Sequence, residues 1–145
     1  MLAPYMVQTI FSLPNMKVLI VDDEPLVRKA LDYAITYRGW TAYTQDERAD
    51  CARIINELKI DVLLIDYHMP AINGLDLIEG LRRTGITIPA IMLSANAHAI
   101  DETRAKQLGV FKILSKPPTL KELHGVLAKA VVKQEPDGDS HSQKP

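Results

Sequence analysis

Five polar side chains stand at the ends of apolar runs in this sequence, where they could do chemistry together. They are two neighbouring aspartates, a third aspartate, a serine and a lysine: Asp22, Asp23, Asp66, Ser94 and Lys116. A carboxylate can act as a nucleophile, an ammonium and a hydroxyl can donate hydrogen bonds, and grouped acids can bind a hard metal ion. Each residue alone has an ordinary explanation, such as a helix cap or a turn hydroxyl. As a set they predict one reactive site.

The predicted chemistry is phosphoryl transfer to Asp66. Three carboxylates held close together repel one another, and the repulsion raises a pKa unless a cation is present. An open oxygen site with one or two carboxylates is typical of Mg²⁺, which would also offset the charge of a phosphate. Lys116 can pair with Asp66 at rest and with a phosphoryl oxygen afterwards, and Ser94 can donate to the same oxygen. These groups supply the positioning and electrostatic stabilisation that phosphoryl transfer requires.

Apolar runs alternate with helical periodicity along the chain and predict the elements that hold these side chains. Strands are expected at residues 18–21, 40–43, 62–65, 88–93 and 112–115. Between them, and after the last, apolar residues recur with the 3.6-residue period of helices. Pro25 suits the start of the first helix, and Asp46 is expected to cap the second. Glycines are expected to end three of the helices: Gly39, Gly85 and Gly109.

This alternation predicts an α/β fold: a doubly wound, five-stranded parallel sheet of order 2-1-3-4-5 with helices on both faces. The unbroken apolar run at residues 62–65 is typical of a strand buried on both faces. In this order the first and third strands are neighbours at the switch point, where such sheets bind ligands. Asp22, Asp23 and Asp66 would meet there.

Composition restricts the classes of function. The chain has 145 residues, of which 47% are hydrophobic and 24% charged, which is ordinary for one globular domain with its own core. A net charge of -1 gives no basic field, so we expect no direct DNA binding. The single Cys51 excludes an internal disulfide and suits a reducing cytoplasm, where we expect the protein to act. On a helix it is expected to serve as a small apolar residue.

We expect one domain over residues 17–132, flanked by two segments of different character. Residues 1–16 are mildly apolar, lack the basic residues of a signal peptide and are too short to span a bilayer. No membrane association is therefore expected. Met16 directly precedes the first strand, which suggests that translation starts there and that the upstream piece is a mis-called extension. Residues 133–145 are predominantly polar and predict a disordered tail.

The ordered motifs resemble the response-regulator receiver domain of two-component signalling, over roughly residues 17–132. The matching pieces are Asp22-Asp23, Asp66 with Met69-Pro70 and Gly74, Ser94-Ala95, and Lys116-Pro117. The resemblance implies a CheY-like, flavodoxin-like fold and a phosphoryl group on Asp66, received from a sensor histidine kinase or a histidine phosphotransfer protein.

The same resemblance implies roles for individual residues. Asp23, Asp66 and the backbone carbonyl of His68 would bind Mg²⁺ directly, with Asp22 acting largely through water. Ser94 and Lys116 would hold the phosphoryl group, and the Lys116–Pro117 peptide bond is expected to be cis. His68 and Asn96 stand two residues after Asp66 and Ser94, where side chains tune dephosphorylation in similar proteins. An equally simple interpretation is that both are exposed loop residues.

One position departs from the family pattern. An aromatic residue usually stands three positions before the lysine, and its inward movement accompanies that of the serine, here Ser94. This chain has Ile113 at that position, a stiff β-branched residue without a hydroxyl. Phe111 is expected on the same strand face. Phosphoryl acceptance should be retained, while the form of the output switch is open.

The predicted function is that of a stand-alone response regulator that changes its binding surface for an unidentified protein target. The first helix is expected to contact the kinase, and the last strand and helix the target. Such a protein catalyses only its own phosphorylation and dephosphorylation. A phosphate-relay intermediate and a phosphorylation-independent interaction module are the alternatives. A phosphohydrolase resembling the dehalogenase-like family would carry a second acid where this chain has His68.

Overall fold

The computed structural model describes residues 15–134. Most of the predicted N-terminal extension (1–16) and most of the predicted tail (133–145) therefore lie outside the described residues. Five strands alternate with five α-helices along the described chain, and a 3₁₀ turn, Ala97–Ala99, precedes the fourth helix. The strands are β1 (Lys17–Val21), β2 (Thr41–Gln45), β3 (Val62–Asp66), β4 (Ala90–Ser94) and β5 (Val110–Ser115). The helices are α1 (Pro25–Tyr37), α2 (Cys51–Leu58), α3 (Gly74–Arg83), α4 (Glu102–Gln107) and α5 (Leu120–Gln134).

All neighbouring strands are parallel and the sheet has the order β2-β1-β3-β4-β5, which confirms the predicted doubly wound fold. β1 pairs with β3 from Val18↔Val62 to Val21↔Ile65, although β2 lies between them in the sequence. The winding direction reverses at this pair, so the loops after β1 and β3 leave the sheet on either side of one crevice.

The sheet separates two apolar cores because alternate residues of a strand point to opposite faces. Leu63 and Ile65 pack with residues of α2, α3 and α4, whereas Val62 and Leu64 pack with residues of α1 and α5. Cys51 is a buried free thiol in the first of these cores, and burial raises its pKa to about 11. The thiol is therefore protonated at neutral pH and packs as a small apolar side chain.

The predicted cap of α2 is wrong. The N-cap is Asp50, whose carboxylate accepts a hydrogen bond from the backbone N–H of Arg53 at 3.2 Å. Asp46 accepts instead from the backbone N–H of Arg48 at 2.9 Å and pairs with its guanidinium. Both aspartates suit a cap, but β2 continues to Gln45 opposite Val21 of β1, so Asp46 belongs to the turn that follows the strand.

The glycine stops are confirmed. The bounds of β2, β4 and β5 differ from the prediction by up to two residues, because pairing with the neighbouring strand decides where a strand begins and ends. The three glycines adopt positive φ directly after α1, α3 and α4: Gly39, Gly85 and Gly109. β2 runs later than predicted since its whole length pairs with β1, and β5 begins earlier, at Val110. β4 begins only at Ala90, because Pro89 has no N–H to donate to the ladder.

A β-bulge in β5 places Phe111 and Ile113 on opposite faces, so the prediction of a shared face is wrong. Ala90 pairs with Val110 but Ile91 pairs with Lys112, which makes Phe111 the extra residue. Phe111 packs against the core beside α1 and α5, and Ile113 packs against the other core. One inserted residue shifts the alternation of faces by one, so Phe111 cannot replace the aromatic residue missing at Ile113.

Candidate functional site

The carboxyl ends of β1 and β3 bring three aspartates to one point at the edge of the sheet. Asp22 and Asp23 directly follow β1, and Asp66 is the last residue of β3. One carboxylate oxygen from each aspartate lies within 4.8 Å of those of the other two. Asp22 and Asp66 are buried, whereas Asp23 is partly exposed. The structure thus groups the three predicted acids in a site that keeps contact with solvent at Asp23.

Lys116 follows β5 and places its ammonium between two of these carboxylates. Its Nζ lies 3.1 Å from Asp22 Oδ2 and 3.1 Å from Asp66 Oδ1. The backbone N–H of Lys116 donates to the carbonyl of Ser94 at 2.9 Å, and the Lys116–Pro117 peptide bond is cis, as expected. The sequence predicted the pairing with Asp66 but not the simultaneous pairing with Asp22.

Burial and neighbouring charges perturb both members of this pair. Burial raises the pKa of Asp66, the hydrogen bond from Lys116 opposes that rise, and the charge of Asp22 adds to it. For Lys116, burial acts to lower the pKa, but the hydrogen bonds with Asp22 and Asp66 together outweigh it and raise the pKa. One ammonium therefore compensates incompletely for three acids, and the site favours an additional cation.

A tight loop between β1 and α1 orients the acidic pair. Asp22 Oδ1 accepts a hydrogen bond from the backbone N–H of Glu24 at 2.9 Å, and Pro25 begins the helix. Arg28 donates from its guanidinium to the backbone carbonyl of Asp22 at 2.6 Å. No role for Arg28 was predicted from the sequence. Its position in the second turn of α1 was the available signal, because helical side chains lean back toward the N-terminus.

Ser94 ends β4 and is fully buried. Its Oγ accepts the backbone N–H of Asn96 at 3.0 Å. Since a hydroxyl also carries one proton to donate, this contact leaves Ser94 able to donate to a second acceptor.

The side chains of the remaining predicted residues lie outside the charged group, although the backbone N–H of His68 donates to Asp66 Oδ1 at 3.3 Å. Asn96 is exposed and precedes the 3₁₀ turn, and His68 is exposed with its ring edge-on to Tyr67 at 4.7 Å between centroids. Ile113 is partly buried and pairs with Met92 of β4. His68 and Asn96 therefore contribute side chains to the loops after β3 and β4, and Ile113 contributes its side chain to the core.

Gly74 allows α3 to start against the backbone of Asp66. Its N–H donates to the carbonyl of Tyr67 at 2.9 Å. A Cβ at Gly74 would lie 2.8 Å from the carbonyl oxygen of Asp66 and 3.1 Å from Tyr67 Cα. Since these are backbone atoms, they cannot rotate away from an added methyl group.

We therefore expect Gly74→Ala to destabilise the protein by roughly 1–3 kcal/mol, the usual effect of forcing extra volume into a packed place. Gly80→Ala is the matched control, because a Cβ at exposed Gly80 in the same helix meets nothing within 4 Å. There the better helix propensity of alanine should stabilise by about 0.5–1 kcal/mol. Urea unfolding midpoints at constant slope measure both effects. Equal midpoints for the two variants would contradict the close approach.

The donor set suits a small hard cation such as Mg²⁺. Carboxylate oxygens are its preferred protein ligands, and oxygens around an octahedral ion at about 2.1 Å are roughly 3–4 Å apart. The separations of up to 4.8 Å among Asp22, Asp23 and Asp66 require only a small contraction. Since the three acids also exceed the charge of Lys116, the residues present fit the ion in geometry and in charge.

A family model described as the response regulator receiver domain matches residues 18–128. The chain belongs to the response regulator receiver domain family. This receiver domain is 33% identical over 114 residues to the sensor histidine kinase RcsC of Salmonella typhi. It is 34% identical over 114 residues to the transcriptional regulatory protein KdpE of Mycobacterium tuberculosis H37Rv. Both alignments cover 79% of the receiver domain chain, but only 12% of RcsC and 50% of KdpE.

The solved structures agree on the fold. The chemotaxis protein CheY4 of Vibrio cholerae superposes with a TM-score of 0.72 at 24% identity, over 79% of this chain and 98% of CheY4. By the family match, this chain is a receiver domain of two-component signalling. Members of the family are signalling phosphoacceptors that interact with histidine kinases and generally bind Mg²⁺ at an acidic pocket. Among residues 15–134, no helix is both long and apolar enough to cross a bilayer.

Proposed function

We propose that the receiver domain accepts a phosphoryl group on Asp66 from the phosphohistidine of a sensor histidine kinase or a histidine phosphotransfer protein. One observation carries the proposal: Asp66 is buried at the end of β3, 3.1 Å from the ammonium of Lys116, with two further carboxylates within 4.8 Å. A nucleophile, a cation and an acidic ligand set at one sheet edge are the parts that phosphoryl transfer requires.

In the proposed reaction, a carboxylate oxygen of Asp66 attacks phosphorus. The new O–P bond forms as the N–P bond of the phosphohistidine breaks, and the departing imidazole nitrogen keeps the electron pair and takes a proton from solvent. Lys116 then turns its ammonium from the carboxylate to a phosphoryl oxygen, which needs little movement from 3.1 Å. The hydroxyl of Ser94 donates to the same group of oxygens.

Asp23, Asp66 and the backbone carbonyl of His68 would hold Mg²⁺ directly, and Asp22 would act largely through water. The contacts of Asp22 support this division, because Oδ1 already accepts from Glu24 and Oδ2 from Lys116. Bound Mg²⁺ supplies positive charge beside the phosphoryl oxygens. The carboxylate of Asp23, which is partly exposed, is the most accessible of the three aspartates.

The output in this proposal is a changed protein-binding surface. Ser94 pairs with Ser115 and Met92 pairs with Ile113, so a displacement of Ser94 is transmitted directly to β5. Ile113 has no hydroxyl with which to follow Ser94, and the change is therefore one of packing between β4, β5 and α4. The exposed side chains of His68 and Asn96 regulate water access and so the lifetime of the phosphoryl group.

An apolar groove of about 440 Å³ is the proposed kinase contact, and it lies between α1 and the segment formed by the loop before α5 and the first turn of α5. Leu26 is 81% exposed and Leu120 is 47% exposed along this groove, which also reaches Lys116. Exposed apolar patches of this kind commonly bind protein partners. A helix of the phosphodonor seated here would present its histidine to the site.

A phosphate-relay intermediate is the second candidate, favoured by the likeness to part of a sensor histidine kinase. In that case Asp66 passes the group to another histidine. Action as a separate protein, the absence of DNA binding and a cytoplasmic location stay predictions. The likeness to part of the transcriptional regulatory protein KdpE makes DNA binding the one of these to measure first.

The test is incubation of the full chain with phosphoramidate and Mg²⁺, followed by intact mass and peptide mapping after borohydride reduction of the acyl phosphate. We expect the added mass of one phosphoryl group, located at Asp66 and absent when EDTA replaces Mg²⁺ during the incubation. Hydrogen exchange of the labelled protein should then change in β5 and α4. Labelling at another residue, or labelling that is independent of Mg²⁺, would refute the proposal.

A further inference from the structure

We infer that Arg28 is a positioning residue for the metal site: it holds the peptide group between Asp22 and Asp23 so that both carboxylates face the same point. This inference rests on the proposed function, since it concerns how the acidic pair binds Mg²⁺. It assigns a task to a side chain that touches none of the three carboxylate groups in the described contacts.

The acidic pair has a geometry that a strand cannot supply. Consecutive residues of a strand point to opposite faces, so two adjacent aspartates in extended backbone would diverge. Here Asp22 and Asp23 place carboxylate oxygens within 4.8 Å of each other and of Asp66. The backbone must therefore leave the strand geometry at this pair and be held in the new one.

Two contacts hold the chain where it leaves β1. The backbone N–H of Asp22 still donates to Gln45 of β2 at 3.1 Å, so the sheet fixes that side of the residue. On the other side, the carbonyl of Asp22 accepts from the Arg28 guanidinium at 2.6 Å. This carbonyl and the N–H of Asp23 belong to one planar peptide group. The hydrogen bond from Arg28 therefore fixes the orientation of that peptide plane, and with it the direction in which the backbone of Asp23 continues. A short hydrogen bond from a charged donor is among the stronger kinds.

The helix makes Arg28 a rigid support. Its backbone N–H donates to the carbonyl of Glu24 at 3.0 Å, which fixes the residue in α1, and its side chain is partly buried. From there the guanidinium returns over the loop to Asp22. Groups that orient metal ligands in this way commonly change metal affinity by 10–100-fold when they are removed.

Because Arg28 is positively charged, loss of its charge and loss of its positioning effect should change the Mg²⁺ affinity in opposite directions. A positive charge near the acids opposes the binding of a cation, so its removal should strengthen Mg²⁺ binding if Coulomb repulsion were its whole effect. Loss of positioning should weaken Mg²⁺ binding instead. Arg28→Met and Lys29→Met form a matched pair, because each removes one positive charge from adjacent residues of α1 and Lys29 is exposed.

The experiment is calorimetric titration of Mg²⁺ into the unphosphorylated full chain. We expect Arg28→Met to weaken Mg²⁺ binding about tenfold, Lys29→Met to leave it unchanged or slightly stronger, and Arg28→Lys to restore part of the loss. In the phosphoramidate reaction, Arg28→Met should need a higher Mg²⁺ concentration than the wild type to reach its half-maximal rate. At saturating Mg²⁺ the variant should recover most of the wild-type rate.

Arg28→Met that binds Mg²⁺ as tightly as Lys29→Met, or more tightly, would overturn the inference. Circular dichroism checks the fold. If Arg28→Met does not fold, Arg28→Lys is compared with the wild type, because lysine keeps the positive charge and loses only the planar guanidinium, so weaker Mg²⁺ binding by Arg28→Lys supports the inference and equal binding overturns it. A wild-type chain that binds Mg²⁺ but takes no phosphoryl group would refute the proposed function and leave the assignment of Arg28 intact.

Discussion

Asp66→Asn should stabilise the metal-free protein while abolishing its phosphorylation. Burial and the charge of Asp22 raise the pKa of Asp66 against the opposing contact with Lys116, so the ionised side chain is less favourable in the folded protein than in water. Asparagine has nearly the same shape and no charge, and Lys116 keeps Asp22 as a partner at 3.1 Å. We expect a gain of about 1 kcal/mol, the size of a typical stabilising substitution. Without a nucleophilic oxygen, the phosphoramidate label at this residue should disappear.

The pH dependence of this gain follows from the direction of the shift. An acid whose pKa is raised on folding contributes stability below its unfolded pKa, near 3.8, and loses that contribution as the pH rises through the folded value. At neutral pH the wild type has lost this contribution to stability, whereas Asp66→Asn has no group at residue 66 that titrates. The difference in unfolding free energy should therefore be largest near neutral pH in EDTA and shrink toward pH 3.8.

Asp61→Asn is the control for this experiment. Asp61 is exposed directly before β3, at the opposite end of the strand, and its carboxylate accepts the backbone N–H of Lys17 at 2.8 Å. Asparagine can still accept that bond, so the control removes one negative charge and little else. It should keep the phosphoryl label and change stability by no more than about 0.5 kcal/mol. If both variants are stabilised alike, the gain comes from net charge and not from the buried site.

Lys116→Met should have the opposite effect on stability and make the protein depend on Mg²⁺. Methionine keeps the aliphatic length but removes the ammonium that lies 3.1 Å from both Asp22 and Asp66. Breaking a buried ion pair by removing one partner leaves uncompensated charge, and at this partly exposed site we expect a loss of roughly 2–3 kcal/mol in EDTA. Unfolding midpoints in denaturant measure the loss.

Added Mg²⁺ should increase the free energy of unfolding more for Lys116→Met than for the wild type, because the carboxylates of the variant have lost the ammonium that neutralises them. The control is Lys112→Met, which removes an exposed lysine from β5, the strand that directly precedes Lys116. It should shift stability by no more than about 0.5 kcal/mol and respond to Mg²⁺ as the wild type does. Equal responses of the two variants to Mg²⁺ would show that Lys116 and the cation do not share ligands.

Much of the fold followed from local pattern, since the determining interactions are short-range in the sequence. The apolar run that ends in Asp66 predicted a strand buried on both faces, and Pro25 and Gly39 correctly marked the two ends of α1. Helical periodicity between the predicted strands predicted helical crossovers, and right-handed crossovers between parallel strands give a doubly wound sheet. The sheet order then placed the acids together without any knowledge of side-chain contacts.

The details that the pattern could not decide all depend on pairing between distant residues. Asp46 and Asp50 are equally good caps by type, and only the pairing of Gln45 with Val21 shows which one lies in the turn. Phe111 and Ile113 share a face in a regular strand, and only the register against β4 reveals the bulge that separates them.

The sequence by itself determined which residues could do chemistry, because the carboxylates, the hydroxyl and the ammonium end strands whose burial their neighbours encode. Tertiary structure alone decided how those groups are held. Lys116 divides its ammonium between Asp22 and Asp66, and Arg28 reaches back to the carbonyl of Asp22. Both contacts depend on distances that the packed backbone sets, and residue type and spacing do not predict those distances.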